Sequence, residues 1–139
     1  MKSIIAFLVL IAVSGYSQTL KINMSNIRNA AGLMCLGFYT SDENFDKDKP
    51  LFVKLIPKNT MVNGTLTITY KDIKPGTYGI ALLDDENNND KMDYGLILPK
   101  EGFGFSNYYH TGLSKPNFTK FKFTLTNETK TVNIKVKYM

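Results

Sequence analysis

Apolar and polar residues alternate along most of the chain after Gln18. A period of two residues is typical of strands with one buried face, because successive strand side chains point to opposite sides of a sheet. Turn residues such as Pro75-Gly76 separate the alternating segments. The pattern predicts seven strands, at residues 20–24, 32–39, 51–56, 66–70, 77–83, 121–125 and 132–138.

The same region lacks the apolar period of a long amphipathic helix, and Asn- and Gly-rich breaks recur along it. Short strands with one apolar face need a second layer to cover that face. The pattern therefore predicts an all-β fold, a seven-stranded antiparallel two-sheet sandwich of the immunoglobulin-like class. Its two long connections are residues 41–50 and 85–115, and we expect local function there.

The first 17 residues follow a different pattern. Lys2 precedes an uninterrupted apolar run at residues 4–13, and mostly small residues follow at 14–17. This order is typical of a secretory signal peptide, and the run is shorter than the roughly 20 residues of a membrane-spanning helix. We predict a cleaved signal at 1–17 and a single domain at 18–139, with no transmembrane segment after processing. The mature protein would be exported to the periplasm or the extracellular medium.

Charge and cysteine content exclude some classes of protein. The chain carries a net charge of +5, and removal of Lys2 with the signal lowers it to +4. The lysines of the terminal strands are scattered rather than gathered with interleaved aromatics, so we expect no nucleic-acid partner. Cys35 is the sole cysteine, which excludes an internal disulfide, and its apolar neighbours favour a packed core thiol.

The segment that follows the fifth predicted strand contains candidate metal ligands. They occupy positions 1, 3, 5 and 9 of a loop: Asp85, Asn87, Asn89 and Asp93. Lys91 offers its backbone carbonyl at position 7, as in the Ca²⁺ loop of an EF-hand. Asp84 and Glu101 are additional ligands if they fold toward the loop. The spacing predicts Ca²⁺ as the cofactor, since this ion takes oxygen ligands.

Two positions of this loop depart from the EF-hand. Asp90 stands where the sharp turn usually takes glycine, and Leu96 stands where a bidentate glutamate would complete the shell. Asn and Asp side chains also close turns on their own backbone without an ion. The residues therefore leave two interpretations open, a weak Ca²⁺ site and a loop ordered by its own side chains. We interpret the shorter acidic run at residues 42–48 as a solvated loop.

Glycine and aromatic residues dominate the chain after this loop. Phe103 and Phe105 are predicted to point inward and plug the end of the sandwich, with the glycines allowing the chain to pass close by. Tyr94, Tyr108 and Tyr109 are the candidate ligand surface, since exposed tyrosine faces can stack on a ligand.

Two neighbouring motifs carry a family resemblance: IKPGTYGIALLDDENNNDKMD at residues 73–93 and PKEGFGFSN at residues 99–107. With them the chain, from the strand near Leu20 to the closing TVNIKVKY, resembles the exported bacterial family known as domain of unknown function 2141. The resemblance implies an exported β-sandwich, similar to transthyretin-like and carboxypeptidase-regulatory-like modules, and no established activity. The chain departs from the family pattern at Asp84 in place of His, and at Asp90 and Ile97 in place of Gly.

Catalytic chemistry has little support in the sequence. His110 is the sole histidine, and no serine or cysteine stands in a nucleophile-elbow context. We therefore predict a protein that is not an enzyme, an exported interaction or accessory module with a weak Ca²⁺ loop. Its partner would be a cell-surface protein or a glycan. Two alternatives stay open: a carbohydrate- or surface-polymer-binding module that uses the tyrosines, and a hydrolase.

Overall fold

The computed structural model describes residues 18–139, and these form eight strands in two sheets. The elements are β1 Leu20–Ser25, β2 Leu33–Tyr39, α1 Asp42–Asp46, β3 Phe52–Pro57, β4 Leu66–Tyr70, β5 Gly76–Asp85, β6 Gly102–Phe105, a 3₁₀ turn Phe118–Lys120, β7 Lys122–Leu125 and β8 Lys130–Lys135. The predicted signal peptide lies outside the described residues. In residues 18–139, no helix has the length and apolarity needed to cross a membrane.

One sheet has three strands in the order β4-β1-β8. The other has the order β3-β2-β5-β6, with β7 also paired to β5. Strand β5 is ten residues long, so β7 pairs with its first part, Gly76–Gly79, and β6 with its later part, Ala81–Asp84. Because β2 occupies the other edge of β5, the two short strands follow one another along the same edge.

The prediction of an all-β fold is confirmed, and two of its details are wrong. The predicted seven strands omit β6, whose sequence Gly-Phe-Gly-Phe contains two residues with low strand propensity. The predicted purely antiparallel pairing is also wrong, because β1 and β8 are parallel, with Ile22 opposite Val132. Alternation within a strand carries no information about the direction of its neighbour, so this pairing is decided by the tertiary fold.

The main core lies between the two sheets and contains alternate residues of both. In β1, Leu20, Ile22 and Met24 are completely buried while Lys21 is exposed. This arrangement matches the predicted period of two. Strand β6 contributes glycine to this face, and a Cβ on Gly104 would lie 2.7 Å from Ile134 Cγ2. Glycine there allows β6 and β8 to approach closely.

A second apolar cluster covers the outer face of the five-stranded sheet. Its buried members are Tyr39, Phe45, Phe105, Phe118 and Phe121. Phe103 and Phe105 lie opposite Leu83 and Ala81 in the β5–β6 ladder, on the face that points away from the core. The prediction that these two phenylalanines plug the end of the sandwich is therefore wrong.

Helix α1 covers part of this second cluster. Ser41 caps it, since the Ser41 hydroxyl accepts a hydrogen bond from Asn44 N at 3.2 Å. Phe45 is buried, and its ring packs edge-on to that of Phe121 with centroids 4.9 Å apart. The prediction of a solvated loop at residues 42–48 is right for the acidic side chains of Asp42, Asp46 and Asp48, which are exposed, and wrong for the backbone, which forms a helix. A single buried aromatic in an acidic run gives no periodic pattern from which a helix could be predicted.

Candidate functional site

The loop after β5 is wound around the carboxylate of Asp85. This residue ends the strand and is completely buried. Asn89 N donates to Asp85 Oδ1 at 3.1 Å, and Asp90 N donates to Asp85 Oδ2 at 2.9 Å. Both oxygens therefore hold the backbone of the same turn, and the backbone N–H groups satisfy the hydrogen-bonding needs of the buried carboxylate.

Two residues of the turn adopt the left-handed backbone conformation, Asn88 with φ 57° and Asp90 with φ 61°. Asn and Asp adopt this conformation more readily than other side chains. Asp90 therefore occupies, in a left-handed conformation, the turn position that is usually glycine in an EF-hand. The side-chain oxygens of Asn87 and Asn89 accept from backbone N–H groups two residues later, as in Asx-turns.

The remaining predicted ligand closes the loop on itself. Asn87 Nδ2 and Asn89 Nδ2 donate to Asp93 Oδ2 at 2.5 and 2.9 Å. Glu101, which is buried, accepts from Glu86 N at 3.1 Å and from Asp93 N at 3.2 Å. The structure thus brings together the four residues predicted from their spacing and places the Glu101 carboxylate behind their backbone.

This donor set fits a hard cation. Asp85 and Asp93 supply carboxylate oxygens, and a half-turn of the amides of Asn87 and Asn89 would turn a side-chain oxygen toward Asp93 in place of each N–H. The same half-turn would break the Asx-turn hydrogen bonds that these oxygens accept. Asp90 brings a further carboxylate close to Asp85: one ligand atom each of Asp85, Asp90 and Cys35 lie within 4.8 Å of one another. Without an ion, the two amide groups supply the positive partial charge that faces Asp93.

Cys35 and Gly32 adjoin this loop, and neither was predicted to do so. Cys35 Sγ lies 4.0 Å from Asp85 Oδ2 on the outer face of β2, where the thiol is partly buried. The prediction of a core thiol is therefore wrong. Burial, followed by the nearby carboxylate of Asp85, raises the pKa of Cys35 to about 11, so the thiol is poorly suited to act as a nucleophile.

Gly32 fixes the backbone on which the loop starts. Its φ is 69°, and a Cβ at this position would lie 1.8 Å from the carbonyl oxygen of Asp85. Only glycine fits so close to the neighbouring strand in this conformation. In the sequence, the one signal for this contact is a glycine at the start of an apolar run.

Asp84 lies on the opposite face of β5 from Asp85, the first predicted ligand of the loop. It is completely buried at the end of the main core, where it forms an ion pair with Lys58. The structure therefore separates Asp84 from Asp85, although both were candidate ligands. Neighbouring strand residues point to opposite faces, which explains the separation.

Arg28 anchors the start of the loop from the side. Its guanidinium donates to the two carboxylate oxygens of Glu86 at 2.6 and 2.9 Å, and also to the carbonyl of Lys100 at 3.1 Å. These hydrogen bonds from Arg28 lower the pKa of the Glu86 carboxyl. A bidentate pair restricts both partners more than a single contact does, so it stiffens both ends of the 86–100 connection.

The three candidate tyrosines lie in different surroundings. Tyr94 is 63% exposed, and Tyr109 is 47% exposed with Lys135 Nζ 5.3 Å from its ring centroid. Tyr108 is half-buried, with its ring centroid 5.9 Å from that of His110. Exposure of Tyr108 was predicted and is only partial. Tyr94 and Tyr109 have ring surface available for stacking.

A family model described as an uncharacterized protein conserved in bacteria (DUF2141) matches residues 22–133. The matched region runs from β1 into β8 and includes the loop at residues 85–93, β6 and the second apolar cluster. No curated protein and no solved structure matches the chain.

Proposed function

The chain belongs to the bacterial family DUF2141, and we propose that it is an exported β-sandwich module without enzymatic activity. In this proposal the loop at residues 85–93 binds Ca²⁺ weakly. The observation that supports the Ca²⁺ site is that one wound loop holds all four predicted ligands, with the side chains of Asn87 and Asn89 meeting at Asp93 and the Asp85 carboxylate holding the turn between them. Oxygen donors at alternate positions are the arrangement by which such loops surround Ca²⁺.

The donor set also supports a low affinity. Asp85 and Asp93 are the carboxylates of the predicted set, and Leu96 stands where an EF-hand has its bidentate glutamate. Fewer charged ligands lower the affinity for Ca²⁺, so the dissociation constant should be about 10⁻⁴–10⁻³ M, as in extracellular modules. Such a site fills where Ca²⁺ is millimolar, which agrees with export.

Export is supported by the pattern of residues 2–17. The absence of enzymatic activity is supported by the surroundings of His110. Its Nε2 lies 2.5 Å from the carbonyl oxygen of Ser114, and its ring packs edge-on to Phe105 with centroids 6.0 Å apart. These contacts orient the ring within the fold, whereas a general base would be oriented by a carboxylate toward a nucleophile.

Calorimetric titration of the mature domain with Ca²⁺ tests the proposal. We expect saturable binding that is weakened by Asp93→Asn, which removes one charge and keeps the side-chain shape. Asp46→Asn in α1 is the matched control and should leave binding unchanged, because Asp46 lies outside the loop. A featureless titration up to about 10 mM Ca²⁺, above the expected dissociation constant, would instead support a loop ordered by its own hydrogen bonds.

A carbohydrate- or surface-polymer-binding module is the second candidate. It is supported by the exposed rings of Tyr94 and Tyr109, since sugar rings stack on aromatic faces. A glycan array would distinguish it from the first proposal. Binding that is lost in Tyr94→Ala or Tyr109→Ala would favour this candidate, and an array without hits would exclude the glycans tested.

A further inference from the structure

A cleft of about 360 Å³ opens on the outer face of the five-stranded sheet. Ala81, Phe103 and Phe105 line it from β5 and β6, and segments 92–99 and 110–116 supply its walls. Clefts of about 300–1,000 Å³ with mostly apolar linings are typical of small-molecule sites. The first wall follows the proposed Ca²⁺ loop in the chain, but the four proposed Ca²⁺ ligands are not among its lining residues, so the cleft is a separate site.

Both walls expose aliphatic side chains to water. Ile97 is 81% exposed and Leu113 is 84% exposed, and Leu98 and Met139 are exposed to a smaller extent. All four line the cleft. Single exposed apolar residues are ordinary, whereas several around one cleft indicate a surface that another molecule covers.

Formal charge in the cleft lies away from the first wall. Residues 92–99 contribute apolar side chains and the uncharged Tyr94, whereas Lys115 lies on the second wall. Lys115 Nζ lies 4.1 Å from the ring centroid of Phe45 and donates to the Phe45 carbonyl. It also lies 2.9 Å from Oδ1 of Asp48, which lines the cleft as well. The Asp48 side chain is 81% exposed, so water screens this ion pair and a ligand anion can compete for the ammonium group.

We propose that this cleft binds a monomeric single-chain anionic amphiphile, with the alkyl chain between the two walls and the anionic group at Lys115. An alkyl chain fits this cleft because both walls carry apolar side chains that it can contact. A sugar fits poorly, because each hydroxyl placed against the apolar wall would lose its hydrogen bonds to water. The lysine provides charge complementarity for a carboxylate at one side of the cleft.

Dodecanoate, below the concentration at which it forms micelles, is the probe. Equilibrium dialysis against the mature domain should show saturable binding of one molecule per chain. Dodecanol has the same chain without the charge, so we expect its affinity to be lower than that of dodecanoate by up to about tenfold. The buffer contains a chelator, so the result is independent of the proposed Ca²⁺ loop.

Three variants separate the two parts of the site. Lys115→Gln should lower the affinity for dodecanoate to that for dodecanol or below, because Asp48 then repels the carboxylate, while dodecanol binding stays unchanged and reports that the cleft is intact. Ile97→Asn should weaken binding of both ligands. Leu55→Asn is the matched control, since Leu55 is 54% exposed on β3 and does not line the cleft. It should bind both ligands like the unaltered protein.

Four results would overturn the proposal. These are dialysis without saturation, equal weakening by Leu55→Asn and Ile97→Asn, and a Lys115→Gln variant that keeps its preference for dodecanoate. The fourth comes from vesicles of phosphatidylcholine with phosphatidylglycerol. Binding to these vesicles without binding of monomeric dodecanoate would assign the exposed side chains to a membrane surface instead.

Discussion

Lys58 Nζ and Asp84 Oδ1 form an ion pair in which both side chains are completely buried. The second oxygen of Asp84 accepts a hydrogen bond from the Tyr138 hydroxyl at 2.5 Å, and Lys58 Nζ also donates to the carbonyl of Ala31 at 2.5 Å. Burial, together with the bond to Asp84, raises the pKa of Tyr138. The pair thus joins the segment after β3, the end of β5 and the C-terminus.

Replacing Lys58 by Met should destabilise the protein strongly. The substitution leaves the Asp84 carboxylate buried without its counter-ion, and loss of one partner of a buried pair costs about 3–5 kcal/mol. Urea unfolding measures this difference. The double variant Lys58→Met/Asp84→Leu should recover much of the loss, because it removes both charges.

The matched control is Lys47→Met. Lys47 pairs with Glu43 in α1, where the two side chains are 58% and 72% exposed. An exposed pair contributes about 0–1 kcal/mol, so the change in stability should be small. Equal effects of Lys47→Met and Lys58→Met would contradict a special role for burial.

Glu86→Gln should destabilise the protein at neutral pH but not in acid. Arg28 lowers the pKa of Glu86 below its ordinary value of 4.5. A lowered folded-state pKa contributes stability above the unfolded-state value, and this contribution is lost as the pH falls through the folded-state value. The difference in unfolding free energy between the two proteins should therefore be constant near pH 7 and should shrink below about pH 4.5. A pH-independent difference would exclude the ionised pair as its source.

Ca²⁺ should raise the melting temperature of the unaltered domain, because the ion binds the folded state. At about 100 times the dissociation constant, linkage gives about 2.7 kcal/mol, a shift of several degrees. Asp85→Ala and Asp93→Ala should abolish the difference between Ca²⁺ and chelator, whereas Asp46→Ala should retain it. Each variant is judged by its own difference in melting temperature between Ca²⁺ and chelator. The melting temperature alone is not compared, because Asp85→Ala also removes an acceptor for two backbone N–H groups and so destabilises the loop without any ion.

Gly104→Ala should destabilise the sandwich by overpacking. The added methyl would lie 2.7 Å from Ile134 Cγ2 and 3.0 Å from the carbonyl oxygen of Lys135. Relief requires movement of β6 against β8, which costs about 1–3 kcal/mol. Gly95→Ala is the control, because its methyl would meet its nearest neighbour, Leu98 O, at 3.5 Å, and its effect in thermal unfolding should be within about 0.5 kcal/mol.

Export is tested by sequencing the N-terminus of the protein recovered from cells. We expect a chain that starts near Gln18 in the envelope or the medium, because a signal peptidase would cleave after the small residues that follow the apolar run. Recovery of chains that begin at Met1 in the cytoplasm would contradict the signal peptide.

The strand pattern was readable from the sequence because it depends on local chemistry. Leu20, Ile22 and Met24 alternate with polar residues, and in the structure all three are completely buried. The turns of the loop were also readable, since the side-chain oxygens of Asn87 and Asn89 accept from backbone N–H groups only two residues later. Spacing along the chain is enough to predict contacts that close within a few residues.

Other features depend on what lies across the fold. The parallel pairing of Ile22 with Val132 joins opposite ends of the chain. Asp84 and Asp85 look alike in the sequence, yet the pleat of β5 turns one toward Lys58 in the core and the other toward the loop. A local pattern determines which residues share a face of a strand. The residues that pack against that face come from segments far apart in sequence, so only the tertiary structure decides which partners they are.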